Sequence, residues 1–303
     1  MPEVIVSDNS TRDMPAMEVL RSRYPFSYIR QSGRLSMFEH HNACLRLPST
    51  PWALLLHDDD ELCPQIIGKL DAFISGCGKV GLVIGGFQHI DEDSIVHGVW
   101  VPEKIETLRG EAGVLRLGLD YRVAPPGTIY NVAAFWQLGG FADALGASAD
   151  YPLVLRITHR RGATLFPEVI GRYRIGKHQA TDFTLAGAER TLDETIRMSN
   201  LTRTIGVSSR VSDQLVDYNT WWIFRIIAGS WFSSHPFFVS RLFGKCLRST
   251  PPAGYWKTRV KQEYPLLFFQ PRWLAIFFYK AARALLPASI KRRLGNYARA
   301  WLA

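Results

Sequence analysis

Short apolar runs alternate along the first half of the chain with stretches in which apolar residues recur every three or four positions. That alternation is the pattern of a layered α/β domain. The runs predict strands over residues 3–7, 26–30, 52–57 and 80–87, and the amphipathic stretches predict helices over 13–23, 37–47 and 63–75, the last closed by Gly76. Gly85-Gly86 and Pro125-Pro126-Gly127 read as breaks in the middle region. Beyond them the pattern predicts a short helix over 131–138, a longer one over 150–160 and an extended return over 163–175. The alternation stops near Leu185, and helical periodicity takes over in 189–206 and 213–228. The expected organisation is an α/β domain over residues 1–185 followed by a helical, basic and aromatic region over 186–303.

Composition narrows the class. A chain of 303 residues, 47% hydrophobic and 21% charged, can bury a full core and does not read as disordered. Its four cysteines, Cys44, Cys63, Cys77 and Cys246, form no CxxC pair and no metal-ligand spacing, which argues against a disulfide framework or a zinc site and for a reducing compartment. No N-terminal segment has the charged start and apolar centre of a signal peptide, and no apolar run reaches the ~18 to 20 residues of a spanning helix. A cytoplasmic protein is expected.

The formal charge of +9 is unevenly placed: from Arg241 onward Glu263 is the only acid. Aromatic residues are dense before and within that tail, among them Trp222, Phe224, Trp231, Trp273 and Phe277, a mixture that suggests an interface. In residues 272–286 the basic positions Arg272, Lys280 and Arg283 interrupt an apolar background, and Lys291-Arg292-Arg293 follows. Such a segment suits a membrane surface, which places the protein peripherally on the cytoplasmic face; a helix packed on its own domain with snorkelling cations is the ordinary alternative. Charge and aromatics would also suit nucleic acid, but no recognition motif accompanies them, and nucleic acid is not expected as a partner.

The most informative chemistry is His57-Asp58-Asp59-Asp60, directly after the apolar run 52–56. Crowded carboxylates repel unless a cation sits between them, and oxygen-rich clusters suit hard ions such as Mg²⁺ or Mn²⁺, which keep positions open for phosphate oxygens. An acidic turn opening a helix is the competing structural reading. A second polar turn, Ser7-Asp8-Asn9-Ser10, follows the apolar run 4–6 in the same way. Ligands of open α/β sheets bind beyond the carboxyl ends of the strands, so two such turns on neighbouring strands would serve one phosphorylated ligand.

Four segments carry a resemblance: Val4-Ile5-Val6-Ser7-Asp8-Asn9-Ser10; Asn42 upstream of Leu54-Leu55-Leu56-His57-Asp58-Asp59-Asp60-Glu61-Leu62-Cys63-Pro64; Gly139-Gly140-Phe141 followed by Ser148-Ala149-Asp150-Tyr151; and Gly171-Arg172-Tyr173-Arg174-Ile175. In order and spacing they resemble the family 2 glycosyltransferases, inverting enzymes of the GT-A fold, over about residues 3–180. The resemblance implies a GT-A, Rossmann-like mixed sheet flanked by helices, here with a C-terminal helical appendage. It implies that Asp8 accepts a hydrogen bond from the nucleotide base, that Asn42 and Asp58 help bind the nucleotide sugar, and that Asp59 and Asp58 hold Mg²⁺ or Mn²⁺, with His178 a further candidate. It also implies that Asp150 is the catalytic base, although Ala149-Asp150-Tyr151-Pro152 equally fits a helix start. His57 stands where the family commonly has an acid; His40 and His41 read as scaffold, and Asp60 as the start of the following helix. The family's opening strand and helix, ahead of the segment that begins here at Glu3, have no counterpart, and that strand would lie in the middle of the sheet. The expectation is either that the sequence is a truncated reading or that another segment, from the tail or a partner, fills the gap.

The resulting expectation is metal-dependent, inverting transfer of a hexose or deoxyhexose from a nucleotide sugar to a cell-envelope glycan or lipid-linked acceptor. The alternative is a catalytically inactive glycosyltransferase-like subunit that binds a sugar nucleotide or a partner enzyme.

Overall fold

The computed structural model of the chain describes residues 2–142, 149–176, 185–231 and 235–250, with residues 254, 256, 258, 259 and 262. In chain order the strands are β1 (Ile5–Asp8), β2 (Ser27–Arg30), β3 (Trp52–Leu54), β4 (Glu61–Leu62), β5 (Leu82–Ile90), β6 (Val96–Trp100), β7 (Glu106–Leu108), β8 (Thr128–Asn131) and β9 (Ala163–Arg174). The α-helices are α1 (Pro15–Arg23), α2 (Met37–Cys44), α3 (Ile66–Gly76), α4 (Gly110–Gly118), α5 (Val132–Gln137), α6 (Asp150–Arg161), α7 (Leu185–Leu201), α8 (Ser209–Trp231) and α9 (Pro236–Ser249).

Seven strands form one mixed sheet in the order β3-β8-β5-β9-β4, with β6 added to β5 and β7 to β9. β5 lies at its centre, parallel to β9 and antiparallel to β8 and β6. Its Leu82, Val83 and Ile84 are wholly buried, each contributing on the order of 1.5–3 kcal/mol of burial free energy. One face of the sheet packs under α4 and α6, where Val114, Leu117, Val154, Leu155 and Ile157 join Leu82 and Ile84. The other face meets α3 through Ile66 and Leu70 against Val83, Ile129, Phe166 and Ile170.

Gly85 and Gly86, expected as a break, instead sit inside β5. A Cβ on Gly85 would lie 2.3 Å from Ile170 Cδ1, and one on Gly86 2.6 Å from the carbonyl oxygen of Trp100. The glycines admit neighbouring strands where the β5–β9 register shifts, so they mark a bulge rather than a strand end. The helix expected from residue 63 begins three residues later. Asp60 does not open it: Glu61 and Leu62 first pair with β9, and Cys63 N–H donates to the Ile170 carbonyl.

β1 and β2 form a separate two-stranded parallel sheet beside α1, which buries none of its residues. Among the described residues β1 pairs only with β2 and β3 only with β8. The two turns expected at one sheet edge are therefore carried by two sheets, tied by side chains. The Glu3 carboxylate accepts from Ser49 N and Oγ at 3.0 and 2.8 Å, and Ser7 Oγ and His40 Nε2 share a hydrogen bond of 2.9 Å.

The chain divides into two compact units, Met1–Asn219 and Thr220–Ala303. In the first, the segment after residue 185 returns to the core through Met198, Ile205, Val211 and Leu215. In the second, Trp221, Phe224 and Phe243 are buried against one another with ring centroids 5.6–5.9 Å apart. Phe224 is thus internal packing rather than the interface its sequence neighbourhood suggested; Trp222 beside it is exposed. No helix among the described residues is long and apolar enough to cross a membrane. The amphipathic segment 272–286 and His178 lie outside the described residues.

Candidate active site

The acidic turn follows β3 and is pinned from below by a short pairing. β4 joins β9 at Glu61↔Arg172 and Leu62↔Gly171, which brings the turn against the end of β9. There His57, Asp59 and Asp60 each point one ligand atom into a common space, all within 4.8 Å of one another. The Asp60 side chain is fully enclosed, its Oδ1 accepting from the Arg174 N–H at 2.9 Å. Asp60 Oδ2 and His57 Nε2 are buried with no hydrogen-bond partner. Burial pushes the Asp60 carboxyl up to about 7, opposed by the Arg174 hydrogen bond and reinforced by Asp59. Burial also lowers the His57 pKa, against the pull of Asp59 and Asp58, so its ring is held neutral.

Unsatisfied buried polar atoms are costly, and one of these, Asp60 Oδ2, lies 3.9 Å from His57 Nδ1 in a carboxylate-rich turn. Two carboxylates and a neutral imidazole fit a divalent cation, which would complete their coordination and offset their repulsion. Asp59 falls in this cluster; Asp58, although adjacent, does not. Asp60 and His57, read from sequence as a helix start and as a substitute for an acid, are the members the sequence left out.

Helix α2 buttresses the turn. It starts on a capping box in which Ser36 Oγ accepts from Glu39 N–H and the Glu39 carboxylate from Ser36 N–H. The His41 ring stacks on His57 at 4.8 Å with planes 24° apart. Burial drops the His41 pKa to about 4, with smaller contributions from His57 and His40. His40, on the same helix, feels the charges of both Asp8 and Asp58. Both loops thus lie within electrostatic range of one imidazole, and the histidines read as scaffold join the β1 turn to the acidic one.

Asp8 ends β1 with Oδ2 accepting from Tyr28 OH at 2.5 Å and Oδ1 from Ser10 N–H at 2.7 Å. It is 9% exposed yet lies close beneath the surface, so these bonds, Tyr28 first, hold its carboxyl below the usual range. Asn42 is committed to the backbone: its Nδ2 donates to the Phe141 carbonyl at 2.9 Å and its Oδ1 accepts from Phe141 N–H at 3.0 Å. This clasp closes the Gly139-Gly140 turn, where both residues have positive φ, 95° and 67°.

Asp150 is the first residue of α6, preceded by Ala149 at the cap position. Its Oδ1 accepts from Tyr151 N–H at 2.8 Å and its Oδ2 from Tyr121 OH at 3.0 Å. Asp150 lies deep among surrounding atoms while keeping an opening to solvent. Burial raises its pKa to about 6, with the Tyr121 hydrogen bond pulling the other way. The Tyr173 phenol, raised first by burial, also feels Asp60, Asp59 and Asp150, which puts the acidic turn and Asp150 within range of one side chain. Tyr28 and Tyr121, whose hydroxyls hold Asp8 and Asp150, had no sequence signal beyond their neighbourhood, because hydroxyl partners depend on tertiary placement.

No protein-family model matches the sequence, and no curated protein matches it. Solved structures do. TarS 1-349 of S. aureus in complex with UDP-GlcNAc is 15% identical with a TM-score of 0.59, and the same fragment with UDP is 14% identical with a TM-score of 0.57. Each match covers 82% of this chain and 72% of that fragment. The longer TarS structure gives 14% identity and a TM-score of 0.56, covering 82% of this chain and 44% of that one. The fold is the GT-A glycosyltransferase fold, a mixed sheet flanked by helices.

Proposed function

We propose that the protein is an inverting glycosyltransferase that moves a sugar from a nucleotide-sugar donor to an acceptor hydroxyl. The observation that carries this reading is the joint presence, around Tyr173, of a cation-ready cluster with orphaned polar atoms and a carboxylate tuned to about 6. The fold it shares with UDP-GlcNAc-bound TarS supports a nucleotide-sugar donor.

In this reading His57, Asp59 and Asp60 hold Mn²⁺ or Mg²⁺, with Asp58 contributing charge from beside them. A divalent cation there supplies electrostatic stabilisation of the departing diphosphate. Asp8, already fixed by Tyr28 and Ser10, keeps lone pairs for the nucleotide base. Asn42 acts at one remove, shaping the Gly139–Phe141 turn ahead of α6. Asp150 takes the proton of the acceptor hydroxyl; that oxygen attacks the anomeric carbon from the face opposite the diphosphate, the bond to the diphosphate breaks, and the configuration inverts. A base with a pKa near the working pH combines availability with driving force, and its loss costs on the order of 10²- to 10⁴-fold. The acceptor proposed is a cell-envelope glycan or a lipid-linked one, with the basic C-terminal region at the cytoplasmic membrane surface; Arg241, Lys245 and Arg248 on α9 belong to that charge.

The test is nucleoside diphosphate release by the full chain with Mn²⁺ across a panel of nucleotide sugars, UDP-GlcNAc included. Release with at least one donor, abolished by chelation, supports the reading, and the anomer formed on an accepting glycan reports inversion. Donor binding without release or transfer would instead favour the inactive-subunit alternative. Flotation with anionic vesicles, lost when residues 220–303 are removed, tests the membrane contact.

A further inference from the structure

Arg174 closes β9 and makes more directed contacts around the acidic turn than any metal candidate makes. Its Nε donates to the Asp59 carbonyl at 2.7 Å and one terminal nitrogen to the Asp91 carbonyl. The other terminal nitrogen donates to Glu61 Oε1 at 2.8 Å and Ser94 Oγ at 3.0 Å. Its backbone N–H holds Asp60 Oδ1. One residue thereby fixes the main chain of Asp59, the carboxylate of Asp60 and the side chain of Glu61.

Its far contacts lie on the tip of the β5–β6 hairpin, which is built to reach them. Ser94 has φ 61°, a left-handed conformation that costs a non-glycine residue roughly 1 kcal/mol or more. That conformation accompanies a hydroxyl donating to Glu61 Oε1 at 2.6 Å while accepting from Arg174. Asp91 ties the tip down by accepting from the N–H groups of Asp93 and Ile95 and pairing with His97. Arg172 adds a second hold on Glu61 at 3.1 Å. A planar guanidinium with fixed donor directions can lock several oxygens at once, which an ammonium cannot.

We propose that Arg174 is a positioning residue, using Glu61 and the strained hairpin tip at Ser94 to hold Asp59 and Asp60 in the geometry that receives the cation. The inference rests on the cation reading of the His57–Asp59–Asp60 cluster. Residues that orient metal ligands from behind typically change metal affinity 10- to 100-fold when removed.

The experiment is titration of the full chain with Mn²⁺, following the electron paramagnetic resonance signal of the free ion, alongside thermal melting. Wild type should bind Mn²⁺ and Asp59→Ala should not. Arg174→Ala should bind 10- to 100-fold more weakly, with Arg174→Lys recovering part of the loss and Ser94→Ala showing a several-fold loss. A purely structural role would lower the melting temperature and leave the Mn²⁺ affinity of the folded fraction at the wild-type value, and that result overturns the proposal. Should Arg174→Ala not fold, Glu61→Gln and Ser94→Ala decide it: wild-type affinity in both overturns it. Failure of wild type itself to bind Mn²⁺ removes the cation reading and this inference together, and is distinguishable because it needs no variant.

Discussion

Tyr121 OH donates to Asp150 Oδ2 at 3.0 Å, reaching the start of α6 from the segment just after α4. A hydroxyl aimed at an ionised carboxylate stabilises the charged form. Tyr121→Phe should therefore move the acidic limb of the pH–activity profile to higher pH, because the bond that opposes the effect of burial on Asp150 is gone. Rates across pH 5–8 for variant and wild type check this, and coincident limbs would count against Asp150 as the titrating base.

Asp150 itself links activity to stability with opposite signs. Its folded pKa of about 6 lies above the ordinary 3.8, so its contribution to stability is fully present below about 3.8 and lost as pH rises through about 6. At pH 8 the buried charge costs on the order of 1–3 kcal/mol, the lower end reflecting its opening to solvent. Asp150→Asn should lose transfer by on the order of 10²- to 10⁴-fold while unfolding at higher denaturant than wild type at pH 8, an advantage that vanishes near pH 4. Parallel urea melts at the two pH values measure it.

Asn42→Ala should unclasp the Gly139–Phe141 turn. Two hydrogen bonds go, and the Phe141 N–H and carbonyl lose their partner, for a cost of about 1–3 kcal/mol. Asn42→Asp, which keeps the acceptor and loses the donor, should fall between the two in a denaturant titration.

A pair of glycine substitutions separates packing from backbone freedom. Gly86→Ala pushes a methyl against the main chain of Trp100 and Val101 and should destabilise by about 1–3 kcal/mol. Gly68→Ala, inside α3 with open space around it, should stabilise by roughly 0.5–1 kcal/mol. Opposite shifts in thermal midpoint are the expected outcome.

The elements legible in the sequence were those whose own pattern decides them. β1, the strand before the acidic turn, and α6 with Asp150 at its start all follow from apolar period and turn chemistry. What was not legible depends on neighbours. α4 carries Gly110, Gly113 and Gly118, which depress its helical signal, yet a Cβ on Gly113 would lie 2.7 Å from the Leu108 backbone and one on Gly118 2.6 Å from Leu215. Gly113 and Gly118 are there for close packing, whereas Gly110 has open space around it and φ 57°; with the helix unseen, Tyr121 beyond it could not be assigned a partner. β4 is two residues long and exists only because β9 is beside it, so Asp60 looked like a helix start. The triple aspartate pointed to a cation; that His57 and Asp60 group with Asp59 within 4.8 Å, and Asp58 does not, depends on the turn's pinning to β9.

The ties between β1 and the main sheet have a thermal consequence. No backbone hydrogen bond joins β1 to β3 among the described residues, and Glu3–Ser49 and Ser7–His40 span the divide. The two-strand lobe bearing Asp8 can tilt as a body at the expense of a few side-chain contacts, whereas β8 cannot move without tearing a ladder. Deuterium should enter the amides of β1 well before those of β8, and a donor gripped at its base by one lobe and at its diphosphate by the other would act as the crosspiece that slows the exchange.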